Sequence, residues 1–421
     1  MLPRMTRSAP ADPAPIDDEA EATGRFAAFQ SPTFRLLMGA GMAMQLGQWI
    51  QRVALLWVVY EITGSAIALS VLGFLSNVFV IVLSPFAGIA SDRFGARRVL
   101  LFAAVGQAAG AGILAVAIFT DRASLPLLYA IGATFGIGQA LNQPTRNLLV
   151  YDTVGRRLLR NGLALNAMTG STMRVLGPSV GGVIIARWGG GFAFAIQAVL
   201  LFAAVGLVWA LKVETRRDTA RGNVWRELLG GVAHLRENGA VRLSVLMNLL
   251  TALLVYPYLA FMPVFVRENI GGGEAELGYL LSAVGVGSLI GLWYVAAGRG
   301  GIRSMLWAGV IYVLLVLAFT QATHFPLAFG ILVVAGVVHS VFSTLNQALV
   351  QLNASEQYRA RVMGIYSMSQ GAEPIGTLSL GPLIAVFGVT MAMGTYMGLA
   401  AAVMLSTAVV VTLRGRRPAA A

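Results

Sequence analysis

Apolar runs of about twenty residues recur along the whole chain, separated by short polar segments. The first six lie at 34–60, 66–87, 99–119, 126–148, 162–186 and 191–211; six more follow a polar stretch, at 241–266, 277–297, 305–322, 326–350, 361–386 and 390–413. Each run is close to the ~20 residues that a helix needs to cross the hydrocarbon core of a bilayer. The pattern predicts an all-α integral membrane protein with twelve transmembrane helices in two pseudo-symmetric six-helix halves.

The polar segments divide the chain further. Residues 1–30 are rich in Pro, Ala and acids, which predicts a disordered tail without a cleavable signal peptide. We expect an N-terminal half at 31–211, a linker at 212–240, a C-terminal half at 241–414 and a short tail at 415–421. Apolar positions around 224–235 share one helical face, so the linker is either an interfacial amphipathic helix or a solvated segment with little helix.

The composition excludes several classes of protein. The chain is 57% hydrophobic and 11% charged, whereas a soluble protein carries about a quarter charged residues. It has no Cys, which excludes disulfides and Cys-bound metals, and its three His are too scattered to indicate a metal site. The 49 Gly suit close packing between helices in lipid.

The net charge of +12 comes from residues placed on one side of the predicted membrane. Of the 30 Lys and Arg, 25 fall in the tails, the linker and alternate loops, while the opposite loops hold only Arg122, Arg187 and Arg267. This asymmetry is the positive-inside pattern, and it argues against a nucleic-acid partner. We expect a multi-pass protein of the bacterial cytoplasmic (inner) membrane with both termini in the cytoplasm.

A polar hairpin between the second and third runs carries the sequence Gly88-Ile-Ala-Ser-Asp92-Arg93-Phe-Gly95-Ala-Arg97-Arg98. Gly88 is expected to let a neighbouring helix approach, Gly95 to allow a positive φ, and the arginines to hold the turn in the cytoplasm. The pattern resembles the loop 2–3 signature of the major facilitator superfamily of transporters, with Ala96 as a departure. The resemblance implies alternating access, a cavity lined by spans 1, 4, 7 and 10, and a latch between Asp92 and span 11.

The two halves also repeat each other. Arg299, Gly301 and Arg303 match Arg93, Gly95 and Arg97 at an offset of 206, with Gly298 in place of Asp92. A second match relates the stretch that begins at Gly136 in span 4 to the stretch that begins at Gly336 in span 10, at an offset of 200. Duplicated halves are typical of secondary transporters, which bind substrate between the repeats near the bilayer midplane.

Polar side chains fall on the spans that the resemblance assigns to the cavity. Because such residues are costly in a membrane, we interpret them as candidates for substrate binding, or alternatively as hydrogen bonds between helices. Arg52 is either cavity-lining or a structural anchor, and Arg174 lies inside span 5. The candidates are Gln45, Gln48, Arg52, Gln139, Asn142, Gln143, Arg174, Asn248, Thr251, Tyr256, Ser343, Asn346 and Gln347.

Span 5 contains Gly177-Pro178-Ser-Val-Gly181-Gly182, which resembles the core of the antiporter motif of drug-exporting branches. The alternative is a kinked, tightly packed helix. The fourth span has Gly132 where the family usually has an Arg, so no proton-coupling role carries over to that position. Together with the start of span 1, these motifs resemble the bacterial exporter branch that includes enterobactin and macrolide exporters.

Glu373 is the one acid in the middle of a predicted span, so we interpret it as the proton-coupling residue. A protonated Glu373 could donate to a carbonyl freed by Pro374. The alternative is a structural pairing with Arg174 or another polar group. His339 is the second candidate proton carrier.

The sequence therefore predicts a secondary active transporter that exports a siderophore or drug-like small molecule by proton antiport. We expect the protein to be a monomer that contacts the lipid bilayer and its small-molecule substrate. The proton gradient is expected to supply the energy, without a cofactor. An importer or facilitator of the same fold is the alternative. The absence of a phosphate-binding Gly-rich loop with Lys argues against an ATP-driven pump, and the lack of a nucleophile–base set argues against an enzyme. The arginines favour anionic compounds, and the Tyr and Met content favours bulky apolar ones.

Overall fold

The computed structural model describes residues 26–212, 238–296, 300–354 and 359–414, and this part of the chain is helical almost throughout. The helices of the N-terminal part are α1 (Pro32–Thr63), α2 (Ala66–Phe94), α3 (Ala96–Phe119) and α4 (Leu125–Trp209). Those of the C-terminal part are α5 (Gly239–Leu250), α6 (Met262–Phe265), α7 (Glu274–Ala296), α8 (Ile302–Thr320), α9 (Phe325–Asn353), α10 (Arg359–Gln370), α11 (Glu373–Phe387) and α12 (Val389–Arg414).

Two glycines divide the long helix α4 into three segments. Gly155 has φ 67° and Gly189 has φ 81°, values that L side chains rarely adopt, so the chain reverses there. The segments at 125–154, 156–188 and 190–209 correspond to the predicted spans 4, 5 and 6.

The helix that follows α5 is irregular. A π-helical turn (Thr251–Val255) and a 3-10 turn (Tyr256–Phe261) separate α5 from α6, and a second π-helical turn (Val266–Ile270) follows. Pro257 and Pro263 explain the break, because proline removes a backbone donor from the helix.

Alternate helices run in opposite directions, which gives the bundle two ends. We call the end that carries the 88–98 turn the loop end, and the end that carries Gly64 the far end. The glycine at 64 has φ 56° and ends α1 in a left-handed turn.

The surface has the character expected in lipid. Eight helices among the described residues are long and apolar enough to cross a membrane. Large apolar side chains point outward, including Phe102 at 73% and Trp293 at 84% exposure. Such a continuous apolar exterior marks a membrane protein. The predicted spans at 34–60 and 126–148 are also helical, but they carry the polar stripes and are not among the eight.

The N-terminal and C-terminal parts meet along two seams. In one seam α2 packs against α11, and in the other the second segment of α4 packs against α7. Ser70 lies against Gly381 and Gly73 against Thr377 in the first seam. The close approaches of Ser70 to Gly381 and of Gly182 to Gly278 lie in the half of the bundle nearest the far end.

Equivalent glycines in the two parts have equivalent contacts. A Cβ built on Gly136 would lie 2.4 Å from the carbonyl oxygen of Ser76 in α2, and one built on Gly336 would lie 2.3 Å from that of Val284 in α7. The internal match at this glycine therefore corresponds to the same kind of helix contact in both parts.

The prediction that residues 1–30 are disordered is wrong for the last few of them. Ala27–Gln30 forms a 3-10 turn, and the Ala28 N–H donates to Asn161 Oδ1 at 3.0 Å. Polar Asn161 on α4 supplies the acceptor that fixes this turn. The linker helix around 224–235, the 415–421 tail and Gly298 and Arg299 of the repeated loop lie outside the described residues.

Candidate functional site

A charge pair joins the two parts inside the bundle. Arg52 Nη2 lies 3.5 Å from Glu373 Oε1, and the two side chains are 45% and 24% exposed. Arg52 lies about 16 Å from the far end of α1, and Glu373 about 21 Å from the far end of α11. The guanidinium also lies 5.6 Å from the ring centroid of Trp49, a cation–π contact. Arg52, which was predicted to line the cavity or to anchor its helix, therefore contacts Glu373, which was predicted to couple protons or to pair structurally.

Glu373 begins a helix rather than interrupting one. α10 ends at Gln370 and α11 begins at Glu373, so Pro374 stands in the first turn, where its missing N–H is tolerated. A broken helix at this depth resembles the discontinuous helices that form transporter sites. The carboxylate faces Arg52, whereas the side chain of Arg174, its expected structural partner, lies outside the described part of the structure.

His339 lies in an aromatic cluster of the C-terminal part. Its Nε2 is 3.1 Å from the Tyr256 hydroxyl, and its ring centroid is 4.9 Å from that of Tyr312. Tyr258 of the same turn is fully buried, with its ring centroid 6.0 Å from that of Phe319 in α8. The cluster joins α8, α9 and the irregular 256–261 turn.

A buried arginine was not expected from the sequence. Arg146 is only 2% exposed, and its Nη2 donates to Asn166 Oδ1. The Gln45 amide, with its oxygen turned to the guanidinium, accepts from Nη1 and Nη2 at 3.2 Å. Gly41 leaves room for the guanidinium, since a Cβ there would lie 2.9 Å from Nη2. Arg146 thus connects α1 with two segments of α4.

The residues predicted to line the cavity differ in how exposed their side chains are. Gln139, Gln143 and Gln347 are exposed on the loop-end side of their helices, and Gln48 and Ser343 are half-buried. Four others are buried: Asn142, Asn248, Thr251 and Asn346.

Hydrogen bonds give three of the buried residues a packing role. Asn248 donates to the Tyr366 carbonyl at 3.1 Å and to Ser369 Oγ at 2.7 Å. Thr251 Oγ1 donates to the carbonyl of Met247 in its own helix, and Asn142 Nδ2 contacts Met44 Sδ. The Asn248 and Asn142 contacts join neighbouring helices, whereas the Thr251 bond stays within its own helix.

The glycines of the antiporter-like motif permit close approach. A Cβ on Gly177 would lie 2.3 Å from Trp49 Cβ, and one on Gly182 would lie 2.3 Å from Gly278 Cα. Gly181 faces Ile50 of α1 in the same way. Pro178 lies inside the helix, where it removes one hydrogen bond. The motif therefore packs α4 against its own part and against the C-terminal part.

The 88–98 turn agrees with its prediction only in part. Gly95 has φ 88°, as expected for the turn. The expectation for Gly88 is wrong in this conformation, because a Cβ there would meet nothing within 4 Å. Arg97 donates to the carbonyls of Val208 and Trp209, so it caps the C-terminus of α4. Asp92 is exposed, and the structure describes no partner for its carboxylate.

Two hydrogen bonds towards the far end were not predicted from the sequence. The Tyr60 hydroxyl donates to Glu268 Oε1 at 3.1 Å, and Ser179 donates to Ser282 across the second seam. Both bonds join the N-terminal part to the C-terminal part. No periodicity distinguishes these positions, since each is an ordinary polar residue near the end of a span.

Among the described residues, no cluster of His, Asp and Glu could hold a metal ion. The Arg52–Glu373 pair joins two parts of a helical bundle that has the apolar exterior of a membrane protein. A charged contact between two helical parts within a membrane is typical of transporters.

Comparison with known proteins identifies the family. Residues 23–420 match the family model described as transmembrane secretion effector. The chain therefore belongs to this family of the major facilitator superfamily. It is a membrane transporter of a family with efflux relatives, and not an enzyme.

Curated relatives are similar over most of their length. The staphyloferrin A transporter of Staphylococcus aureus is 22% identical, and the match covers 82% of this chain and 87% of the relative. The multidrug efflux pump Tap of Mycobacterium tuberculosis is 26% identical, with 92% and 94% covered.

A solved structure shares the fold. The bacterial homologue of the human lysosomal transporter Spinster, in an inward-facing and occupied conformation, superposes with a TM-score of 0.70 at 12% identity. The superposition covers 94% of this chain and 100% of that protein. The two proteins therefore share their fold.

Proposed function

We propose that this protein is a secondary active exporter of a siderophore or drug-like small molecule, driven by proton antiport across the bacterial cytoplasmic membrane. In this proposal twelve spans form two six-helix halves, at 31–211 and 241–414, joined by a cytoplasmic linker at 212–240. Both termini lie in the cytoplasm, and the protein acts as a monomer. The efflux function named for the multidrug relative supports the direction of transport.

The observation that carries the proposal is the Arg52–Glu373 contact between the two parts. A transporter of this kind must change contacts between its halves when its ligand or proton state changes. A carboxylate at this position can bind a proton, and its only described ionic partner belongs to the other part. The charge state of Glu373 therefore acts directly on the joint between the parts.

The distribution of contacts supports alternating access. Close approach of Gly182 to Gly278 and the Tyr60–Glu268 bond hold the far end together. At the loop end, Asp92 is exposed and Gly88 has no neighbour. If the loop end is cytoplasmic, as the charge asymmetry predicts, this conformation faces inward. Asp92 then forms its latch with span 11 in the outward-facing state.

The proton gradient supplies enough energy for this task. One proton crossing ~100 mV gains about 2.3 kcal/mol, and one pH unit adds about 1.4 kcal/mol. The total of roughly 3.7 kcal/mol sustains a gradient of several hundred-fold for a neutral substrate. No cofactor is needed for this coupling.

The test is uptake of ethidium, a fluorescent drug-like probe, into inverted membrane vesicles with an acidic lumen. We expect uptake by the parent protein, and its loss in Glu373→Gln, which mimics the protonated carboxyl. Asp121→Asn is the matched control, because it removes a carboxylate from a far-end turn where φ is 52°, a value that Asn tolerates. Gradient-independent equilibration would instead identify a facilitator, and gradient-driven movement in the opposite direction an importer.

Orientation is tested separately. The chain has no native Cys, so a Cys introduced at Asn223 in the linker is a unique label. We expect it to react with an impermeant maleimide in inverted vesicles and not in intact cells. A Cys introduced at Asp121 should show the opposite pattern. Labelling of residue 223 from outside intact cells would contradict the proposed topology.

A further inference from the structure

A groove of about 630 Å³ runs along the outer side of α3 in the N-terminal part. Small residues of this helix line it, among them Ala109 and Gly112, together with Leu127 from the start of α4 and Phe202 from its third segment. A Cβ built on Gly112 would meet no atom within 4 Å, so the groove is open at that residue. All of its described lining residues belong to the N-terminal part. The groove is therefore a feature of the apolar exterior and not of the contacts between the two parts.

The length of the groove matches one leaflet of a bilayer. It follows α3 from Ala108 to Thr120, which is about 18 Å along the helix axis. The hydrocarbon core of a bilayer is about 30 Å thick, so each leaflet contributes about 15 Å. Because α3 ends at Phe119 at the far end, the groove extends from that end towards the middle of the bundle. A single acyl chain of the far-end leaflet fits along it.

Arg122 lies at the far-end mouth of the groove. It is exposed, and it is the only charged residue among the described residues that line the groove. The turn itself caps the end of α3, because the Arg122 N–H donates to the Ala117 carbonyl at 2.8 Å and the Thr120 hydroxyl donates to the Val116 carbonyl at 2.8 Å. The Arg122 guanidinium is therefore not engaged in capping these carbonyls.

The other charges at the mouth leave Arg122 able to bind an anion. Asp121 is exposed in the turn and does not line the groove, and within residues 26–212 the structure describes no ion pair between it and Arg122. The first backbone bond of α4 runs from the Leu128 N–H to the Ser124 carbonyl at 3.0 Å, so the Leu127 N–H has no acceptor within that helix. A free helix N-terminus adds positive potential beside the guanidinium.

We propose that this groove binds an anionic glycerophospholipid of the far-end leaflet, with one acyl chain along α3 and the phosphate at Arg122. The proposal goes beyond the transport function and does not depend on it. Acyl chain fills a groove that faces lipid, because an empty groove loses its dispersion contacts. Arg122 selects the headgroup by charge, since the described lining offers a phosphate one cation and offers an ammonium group no carboxylate.

The lipid connects three segments of the N-terminal part. The groove joins α3 to the first α4 segment at Leu127 and to the third at Phe202. Next to it, the rings of Phe119 and Phe192 make an edge contact, with centroids 5.0 Å apart, that also joins α3 to the third segment. We therefore expect the bound lipid to raise the thermal midpoint of the protein.

The test is native mass spectrometry of the purified full-length protein after its bound lipid has been removed. The probes are phosphatidylglycerol and phosphatidylcholine with identical acyl chains. We expect the parent to bind phosphatidylglycerol about fivefold more tightly, the factor that one basic side chain contributes at a membrane surface. Arg122→Gln should abolish this preference. Arg187→Gln should retain it, because it removes another exposed far-end arginine that does not line the groove.

A second pair of variants tests the acyl-chain site. Gly112→Leu places a side chain in the groove and should reduce the binding of both lipids and the rise in thermal midpoint. Gly106→Leu is the matched control in the same helix, since a Cβ there also meets no atom within 4 Å and Gly106 does not line the groove. Asp121→Asn should leave phosphatidylglycerol binding unchanged or tighter.

Several results would overturn the proposal. Equal binding of the two lipids by the parent, or a preference that survives in Arg122→Gln, would show that Arg122 does not read the headgroup. Weaker phosphatidylglycerol binding in Asp121→Asn would assign the mouth to an ammonium-bearing lipid instead. A lipid-free dimer of the parent that Gly112→Leu dissociates would assign the groove to a second copy of the chain. If Gly112→Leu does not fold, Arg122→Gln in the exposed turn decides the outcome.

Discussion

Gly182 provides a direct test of the far-end contact between the two parts. In the Gly182→Ala variant, the new Cβ would lie 2.3 Å from Gly278 Cα and 3.3 Å from the Glu274 carbonyl oxygen. Ordinary van der Waals contacts begin near 3.4 Å, so the α4 and α7 backbones would have to separate by more than an ångström. Because the obstacle is backbone, no side-chain rotation relieves it.

The magnitude follows from the cost of overpacking. An extra methyl in a tight contact costs about 1–3 kcal/mol. If this cost falls on the far-end-closed conformation alone, the population of that conformation falls by about 5- to 150-fold relative to the conformation with the far end open. The variant should still fold, because separation of the two parts at this seam relieves the clash.

Disulfide cross-linking measures the effect in this naturally Cys-free chain. Ser179 and Ser282 contact each other across the seam, so Ser179→Cys with Ser282→Cys should cross-link under mild oxidation. Adding Gly182→Ala should slow this reaction. Gly206→Ala is the control, since a Cβ there meets nothing within 4 Å.

A second comparison separates conformation from stability. Gly181→Ala faces Ile50 of the same part, at 3.1 Å from its Cα. It should lower the thermal midpoint and change the cross-linking rate little. Equal cross-linking in Gly182→Ala and in the Gly206→Ala control would refute the idea that this seam opens during transport.

Three further predictions concern the N-terminal part. Gly41→Ala should displace the Arg146 guanidinium, because its Nη2 would lie 2.9 Å from the new Cβ, and should lower the free energy of unfolding by about 1–3 kcal/mol. The measurement is the thermal midpoint, with Gly39→Ala as the control, since a Cβ there has ordinary contacts. Arg97→Gln should free the last α4 carbonyls and cost about 1–3 kcal/mol, whereas Arg98→Gln at an exposed position should be nearly neutral in the same assay. Asp92→Asn should slow ethidium transport while protein level and affinity stay the same; an unchanged rate would leave the turn as a topology anchor only.

The sequence predicted the membrane class because hydrophobicity over about twenty residues is a local property. It also predicted the Gly95 turn, and it gave close packing by the α4 glycines as one of two interpretations, since each depends on residues within a few positions of one another. The tail was wrong at Ala27–Gln30 because the partner of that turn, Asn161, is more than a hundred residues away.

Partners were decided by the tertiary structure. A polar stripe on a helix shows that side chains share a face, but it does not show which helix covers that face. Hence Asn248 and Thr251 were grouped with exposed Gln139, although the fold buries the first two. In the same way, the sequence set Arg52 and Glu373 apart as costly charges, whereas only the packing of α1 near the start of α11 made each the counterion of the other. The sequence alone shows that a charge within a predicted span needs a partner, and the packing of residues 321 positions apart supplies that partner.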